Sequence, residues 1–184
     1  MFDDIELDAR SAACAFLITG IPGSGKTTVA QALARRYPLA AHVDDDMLIS
    51  MIVSGNHPPT NEGDRESNRQ ILLRARNAAL LIDSFAAAGV VPVFDDVVVR
   101  RAHLDYYREL VKTMPFHVVV LAPPLEAALR RDSQREKQVA GLWTHLDAVL
   151  RDELSGEGIW IDSTDLTTGQ TVDAILSKTA SDLG

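Results

Sequence analysis

The chain has 184 residues, 46% hydrophobic and 24% charged, which is the balance of one globular domain rather than of a disordered chain. Its formal net charge of -8 disfavours nucleic acid as the main partner, because an acidic surface repels phosphate backbones. No apolar stretch approaches the roughly 20 residues of a membrane span, the first residues lack the basic region of a signal peptide, and the single cysteine excludes an intrachain disulfide. We expect a cytoplasmic protein without a membrane partner, and the sequence leaves both a monomer and a homo-oligomer open.

Apolar runs and helical spacing predict elements that alternate along the chain. In chain order the prediction is strand Ala13–Thr19, helix Thr27–Arg36, strand Leu39–Val43, helix Met47–Val53, loop Ser54–Gly63, helix Asp64–Ala88, strand Val90–Phe94, helix His103–Met114, strand His117–Leu121, a helix opened by Pro123 and Pro124, helix Leu142–Leu154, strand Gly158–Ile161 and helix Thr171–Ala180. Alternation of this kind implies a parallel sheet between helices. The fold class is therefore α/β, as a single domain over residues 1–184 with about five parallel strands.

A glycine-rich segment follows the first strand and carries the most specific signal in the chain. Residues 20–27 read Gly-Ile-Pro-Gly-Ser-Gly-Lys-Thr and fit the P-loop pattern at every fixed position. Glycines let the backbone wrap closely around phosphate oxygens, and the following helix adds its positive dipole end. The lysine is expected at the β- and γ-phosphates of ATP and the threonine hydroxyl at Mg²⁺. The predicted nucleotide contacts are Gly20, Gly23, Ser24, Gly25, Lys26, Thr27 and Thr28.

Acidic residues follow two of the predicted strands, where a phosphotransferase needs carboxylates. Asp95 and Asp96 come directly after the third strand, in the place of a metal-supporting carboxylate, and the alternative is that both only cap a turn. Asp44, Asp45 and Asp46 follow the second strand; Asp44 and Asp46 would share a side if the strand continued. Asp46 could instead serve only as the N-cap of the next helix. Either aspartate could support the metal, and the sequence does not decide between them; we assign Asp95 to the metal and Asp96 to the substrate.

The P-loop, residues 46–49, residues 95–97 and residues 135–141 together resemble chloramphenicol phosphotransferase, and the resemblance extends from about residue 13 to residue 176. It implies that Asp46 is the base that takes the proton of the acceptor hydroxyl. The chain is also similar to shikimate kinases, which implies a metal-supporting role for Asp44 and again a substrate role for Asp46. Zeta-toxin-like kinases are further relatives. The resemblance implies a P-loop kinase fold with a short lid.

A basic cluster lies at about residues 130–140, where the resemblance implies a lid that closes on the ATP phosphates. Its expected catalytic members are Arg131 and Arg135, because guanidinium groups bind phosphate oxygens in a fork. On spacing alone, a solvated charged helix face is an equal alternative, since Asp132 and Glu136 are interleaved. The lid would also exclude water from the phosphoryl group.

The acceptor region is expected at about residues 47–75, where polar side chains suit a hydroxylated ligand. The predicted contacts are His57, Arg65 and Arg69, although a lone histidine in a proline-rich loop is more often a surface residue. The expected activity is transfer of the γ-phosphoryl group of ATP to a hydroxyl of a small polar molecule, first an antibiotic of the chloramphenicol or nucleoside type. Metabolic kinases of sugars, nucleosides or cyclic acids, a toxin kinase of nucleotide sugars, and a polynucleotide 5′-kinase remain alternatives. A nucleotide-hydrolysing switch is the alternative from another class.

Overall fold

A computed structural model describes residues 14–60, 63–134 and 140–181 of the chain, and in these ranges five strands form one sheet. Every neighbouring pair of strands is parallel, and their order across the sheet is β2-β3-β1-β4-β5. The strands are β1 (Ala15–Thr19), β2 (Ala40–Asp44), β3 (Val91–Asp96), β4 (Phe116–Leu121) and β5 (Ile159–Ile161). The predicted α/β class with about five parallel strands is confirmed.

Helices connect the strands and cover both faces of the sheet. They are α1 (Lys26–Ala34), α2 (Asp45–Ser50), α3 (Arg65–Ala87), α4 (Arg101–Leu110), α5 (Leu125–Asp132), α6 (His145–Glu153) and α7 (Thr168–Ser181), with a 3₁₀ turn at Ala140–Trp143. Within the described ranges, no helix is long and apolar enough to cross a membrane.

The side chains of each central strand alternate between two buried layers. On β1, Leu17 packs in the layer formed with α3 and α4, whereas Phe16 and Ile18 pack in the layer formed with α1 and α7. On β3, Phe94 belongs to the α3–α4 layer and Val93 to the α1–α7 layer. Because both faces are covered, the strands read as continuous apolar runs rather than as alternating ones.

Two boundaries differ from the prediction in ways that bear on function. β3 continues through Asp95 and Asp96, since both residues pair with β1 in register with Ile18 and Thr19. The helix predicted at Met47–Val53 begins at Asp45 and ends at Ser50. It begins early because Asp44 is its N-cap residue.

The long helix that follows the acceptor-side loop is close to its prediction. Asp64 is the N-cap residue of α3, and its side chain accepts a hydrogen bond from the backbone N–H of Ser67 at 2.9 Å. Gly89 follows the helix with φ of 76°, a left-handed conformation that favours glycine at a helix C-terminus. These end signals fix a 23-residue helix.

Candidate active site

The glycine-rich loop joins β1 to α1 and is shaped by two glycines with left-handed backbone angles. Gly23 has φ of 83°, and Gly25, the N-cap residue of α1, has φ of 96°. A Cβ atom at Gly23 would lie 2.5 Å from the carbonyl oxygen of Ala128, so the loop packs tightly against α5. A Cβ atom at Gly25 would meet nothing within 4 Å. The loop is thus closed toward the protein and open at the N-terminus of α1, where N–H groups and the helix dipole favour an anion.

The side chains of this loop fit a nucleotide polyphosphate. Lys26 Nζ lies over the loop and donates to the carbonyl oxygen of Ile21 at 3.3 Å. Ser24 Oγ is buried and has no hydrogen-bond partner among the described residues. Gly20 leaves room for that hydroxyl, because a Cβ atom there would lie 2.7 Å from it. Thr28 is exposed on the first turn of α1. An ammonium group, an unsatisfied hydroxyl and open N–H groups at one place suit the phosphates of ATP.

Asp95 joins the P-loop to the neighbouring strand. Its Oδ2 accepts a hydrogen bond from the Thr27 hydroxyl at 2.7 Å, and its Oδ1 lies 2.5 Å from Nε2 of His42 on β2. The Asp95 side chain is 4% exposed. A hydroxyl and a carboxylate are hard oxygen donors of the kind that Mg²⁺ takes beside nucleotide phosphates. In the described part of the chain, no three acidic, histidine or cysteine side chains form a metal cage, so phosphate oxygens and water would complete the coordination.

Asp96 lies on the opposite face of β3 from Asp95. Its Oδ2 accepts a hydrogen bond from the Tyr107 hydroxyl at 3.0 Å, and its Oδ1 accepts one from the backbone N–H of Val97 at 2.6 Å. Successive residues of a strand point to opposite faces, so Asp95 and Asp96 face opposite layers, as Val93 and Phe94 do. Of the two, Asp95 therefore contacts the P-loop threonine. The substrate role predicted for Asp96 stays a prediction.

The aspartate triplet is divided by the start of α2. Asp44 is the last residue of β2, and its Oδ1 accepts a hydrogen bond from the backbone N–H of Asp46 at 2.9 Å. Asp44, and not Asp46, is therefore the N-cap residue, so the cap-only alternative for Asp46 is wrong. Burial and the nearby Asp95 carboxylate raise the pKa of Asp44, against the effect of its backbone hydrogen bond. Asp46 is exposed on the first turn, where its carboxylate is free of a capping role.

The middle residue of the triplet joins a buried polar group that we call the Asp45–Asp96 cluster, consisting of Asp45, Arg74, Asp96, His103 and Tyr107. Asp45 Oδ1 lies 3.4 Å from Arg74 Nε, and His103 Nε2 lies 3.6 Å from Asp96 Oδ2. Burial, the Asp96 charge and a hydrogen bond to Asp96 raise the pKa of Asp45 from 3.8 to about 8, although Arg74 opposes the rise. Burial and the neighbouring carboxylate thus favour the protonated form of Asp45, whose side chain lies beside Arg74.

The neutral members of this cluster are held in their uncharged forms by burial. Desolvation lowers the pKa of His103, helped by Arg74 and opposed by Asp96. Desolvation and the two neighbouring carboxylates raise the pKa of Tyr107 well above its usual value. His103 and Tyr107 are therefore uncharged neighbours of the two carboxyl groups and of Arg74.

The residues expected to bind the acceptor lie around the start of α3. His57 Nε2 is 3.1 Å from Asp64 Oδ2, and the His57 backbone N–H donates to Gln70 Oε1 at 2.9 Å. Arg69 donates two hydrogen bonds of 2.8 Å to Glu66. Arg65 is exposed. His57 and Arg69 thus each have an acidic partner on α3 or at its N-cap, and their substrate roles stay predictions.

The basic cluster is described only in part, because Arg135 lies outside the described residues. Arg131, on α5, donates to the backbone oxygen of Ser163 at 2.6 Å and to that of Thr164 at 3.3 Å. It also reaches the backbone oxygen of Ser24 at 3.4 Å. Arg131 thus ties the P-loop to the segment after β5, and its predicted catalytic role stays a prediction.

Sequence reasoning missed three residues that shape the site: His42, Arg74 and Tyr107. His42 stands two residues before Asp44, so strand alternation places it on the same face as Asp44. That spacing was a usable signal for a contact with Asp95. Arg74 and Tyr107 lie within helices and reach the cluster only through the packing of α3 and α4 on the sheet, which no local pattern encodes.

A family model described as an AAA domain matches residues 16–151. No curated protein matches the sequence significantly. Solved structures with the same fold include an unliganded sugar kinase from Janibacter sp. HTCC2649, with 24% identity, 92% of this chain and 95% of that chain covered, and a TM-score of 0.67. A second is the tunicamycin resistance protein of Deinococcus radiodurans, with 21% identity, 92% of this chain and 96% of that chain covered, and a TM-score of 0.64. A third is a gluconokinase from Sinorhizobium meliloti 1021, with 19% identity, 95% of this chain and 97% of that chain covered, and a TM-score of 0.64. At these identities the likeness establishes the fold, and the expected P-loop kinase fold is confirmed.

Proposed function

The chain belongs to the AAA domain family, and we propose that it is an ATP-dependent kinase that phosphorylates a hydroxyl of a small molecule. The observation that carries the proposal is the hydrogen bond between the P-loop hydroxyl of Thr27 and the buried carboxylate of Asp95. It unites the phosphate cradle with an acidic strand end at the carboxyl edge of a parallel sheet, where ligands of such sheets bind. Phosphoryl transfer needs mainly positioning and charge neutralisation at this place.

On the nucleotide side, the loop N–H groups and Lys26 would bind the β- and γ-phosphates. Thr27 and Asp95 would hold Mg²⁺, which neutralises the charge that builds up on the phosphate oxygens. Asp44, next to Asp95 in the register of β2 and β3, would support the same ion through water. Arg131 would keep the P-loop in place against the segment after β5.

On the acceptor side, Asp46 would orient the acceptor hydroxyl and take its proton. The acceptor oxygen then forms a bond to the γ-phosphorus while the bond from that phosphorus to the bridging oxygen of ADP breaks. Asp46 suits this role because it is exposed at the carboxyl edge and its carboxylate is not used as the helix cap.

The surroundings of Asp46 support an uncharged acceptor with an apolar part. Met47 on α2 and Met51, the C-cap residue of that helix, are 58% and 66% exposed. Two of the cations on the neighbouring helix are engaged: Arg74 faces Asp45, and Arg69 is bound to Glu66. An acidic acceptor would have to compete with these carboxylates. A natural-product antibiotic with a free hydroxyl matches such a surface better than a sugar acid does, and its phosphorylation would give resistance.

The proposal is tested by incubating the protein with ATP, Mg²⁺ and a panel of hydroxylated antibiotics, nucleosides, sugars and sugar acids, with products identified by mass. We expect an antibiotic or another uncharged alcohol to gain one phosphate. Phosphate gain only by a sugar acid would contradict the antibiotic proposal. Acceptor-independent hydrolysis alone would favour the nucleotide switch over the kinase.

The variant Asp46→Asn tests whether Asp46 acts as the base or only binds the acceptor. We expect kcat for the acceptor identified in the panel to fall by roughly 10²-fold, because a general base contributes about that factor. The slow hydrolysis of ATP without acceptor should be unchanged, since it needs no acceptor base. A loss confined to KM would show that Asp46 binds the acceptor without deprotonating it.

A further inference from the structure

His42 connects β2 to the carboxylate that is proposed to support the metal. Its Nε2 lies 2.5 Å from Asp95 Oδ1, while Asp95 Oδ2 accepts the hydrogen bond of Thr27. The His42 side chain is 15% exposed and that of Asp95 is 4% exposed, so water has little access to the contact. Both oxygens of Asp95 are therefore held by groups from two different elements, one from β2 and one from α1.

Asp95 needs such contacts because its surroundings are acidic. Asp44 lies directly across from it in the pairing of β2 with β3, and Asp96 is its neighbour in the chain. Neighbouring carboxylates repel each other. A buried carboxylate without donors would turn away from its neighbour, and the contacts of Asp95 with His42 and Thr27 oppose that movement.

We propose that His42 is a positioning residue: it holds Asp95 with Oδ2 toward Thr27, and thereby sets the affinity of the site for the divalent cation that accompanies the nucleotide. This inference rests on the proposed function, because it takes Asp95 and Thr27 as the metal-supporting pair. An ionised carboxylate only accepts hydrogen bonds, so Nε2 carries the hydrogen of this contact. The contribution is donation of a hydrogen bond, for which His42 need not be charged.

Positioning partners of metal ligands commonly change metal affinity by 10-fold to 100-fold when they are removed. The experiment measures Mn²⁺ affinity in the presence of ADP, by electron paramagnetic resonance of free Mn²⁺, for the wild-type chain and two variants. His42→Phe keeps a planar ring of similar size and removes the donor. His42→Gln keeps an N–H group that reaches the position of Nε2. His145→Phe, the same substitution on the exposed surface of α6, is the matched control.

We expect His42→Phe to weaken Mn²⁺ binding by at least about tenfold, His42→Gln to restore most of it, and His145→Phe to bind Mn²⁺ as the wild type does. ADP affinity without metal should be the same in all four proteins, because the P-loop itself is intact. Unchanged Mn²⁺ affinity in His42→Phe would overturn the proposal. So would Mn²⁺ binding by the wild type that does not depend on ADP, or a loss of metal-free ADP affinity in both His42 variants, which would make His42 a structural support of the loop.

This experiment needs no acceptor. A chain that binds Mn²⁺ with ADP as expected but phosphorylates nothing in the acceptor panel would uphold the role of His42 while contradicting the kinase proposal. If the chain phosphorylates an acceptor while His42→Phe binds Mn²⁺ normally, the kinase proposal is upheld and the role of His42 is contradicted. The two failures are therefore distinguishable.

Discussion

The carboxyl ends of β2 and β3 each carry adjacent aspartates, and at both strand ends the first aspartate lies in different surroundings from the second. Asp44 and Asp95 lie on the face of α1, where Asp95 meets Thr27 and His42. Asp45 and Asp96, one residue further in each case, lie on the face of α3 and α4 beside Arg74 and Tyr107. The first pair borders the phosphate cradle, whereas the second is enclosed in the Asp45–Asp96 cluster.

The difference shows how strand alternation can divide chemistry between adjacent residues. On the P-loop face, Asp95 accepts a hydrogen bond from Thr27 and lies beside His42, so its carboxylate is held at the phosphate cradle. On the other face, burial and the Asp96 charge raise the pKa of Asp45, which lies beside the buried guanidinium of Arg74. We infer that the first pair serves phosphoryl transfer and that the second fixes the junction of α2, α3 and β3 beneath the acceptor region.

The largest expected effect on phosphoryl transfer comes from removing the ammonium group of Lys26 in the P-loop. Lys26→Ala should lower phosphoryl transfer by roughly 10³-fold, because preorganised donors to the transferring group act mainly in the transition state. Its unfolding free energy should stay within about 0.5 kcal/mol of wild type, as expected of a substitution outside the core. Rates from product formation and a urea unfolding curve measure both. Normal transfer in this variant would remove the P-loop from the mechanism.

Removing Arg74, the cation on the face of α3 and α4, should lower stability and leave nucleotide binding unchanged. Arg74→Met should lower the unfolding free energy by about 3 kcal/mol, because breaking a buried pair leaves its partner without compensation. ADP affinity should be that of wild type. Arg76→Met, on the exposed side of the same helix, serves as the control and should unfold at the wild-type urea concentration. A loss of ADP affinity without a loss of stability in Arg74→Met would break the distinction between the two faces.

A smaller effect should appear in the pH dependence of stability. The pKa of Asp45 is higher in the folded chain than in the unfolded chain, so its contribution to stability is full below about pH 4 and is lost as the pH rises through about 8. Asp45→Asn should flatten the decline across this window, by at most about 1.4 kcal/mol per pH unit. Urea unfolding at several pH values measures the slope. The exposed variant Asp152→Asn should follow the wild-type profile, and a wild-type slope in Asp45→Asn would contradict the raised pKa of Asp45.

The sheet, the P-loop and the two acidic strand ends could be predicted from the sequence because each has a local signal. Apolar runs mark buried parallel strands, and the spacing of Gly20, Gly25, Lys26 and Thr27 is specific. The choice between Asp95 and Asp96 could not be predicted, because β3 is apolar on both faces and its run does not reveal which residue faces which helix. The start of α2 also differs from the prediction, because the N-cap residue is Asp44 and not Asp46.

The contacts of the second face depend on packing at long range. Arg74 lies in the middle of a 23-residue helix, and only the docking of α3 on the sheet brings it to Asp45. Tyr107 likewise reaches Asp96 from α4. A sequence pattern describes spacing within an element, and these pairs are set by the angle and depth at which separate elements meet.

The most direct test of the division between the two faces is the Mg²⁺ dependence of ADP affinity, measured by calorimetry for Asp95→Asn and Asp96→Asn. Our account predicts that Asp95→Asn loses most of the gain in ADP affinity that Mg²⁺ gives the wild type, while Asp96→Asn keeps that gain. An Asp96→Asn protein that loses the Mg²⁺ effect while Asp95→Asn retains it would contradict the account.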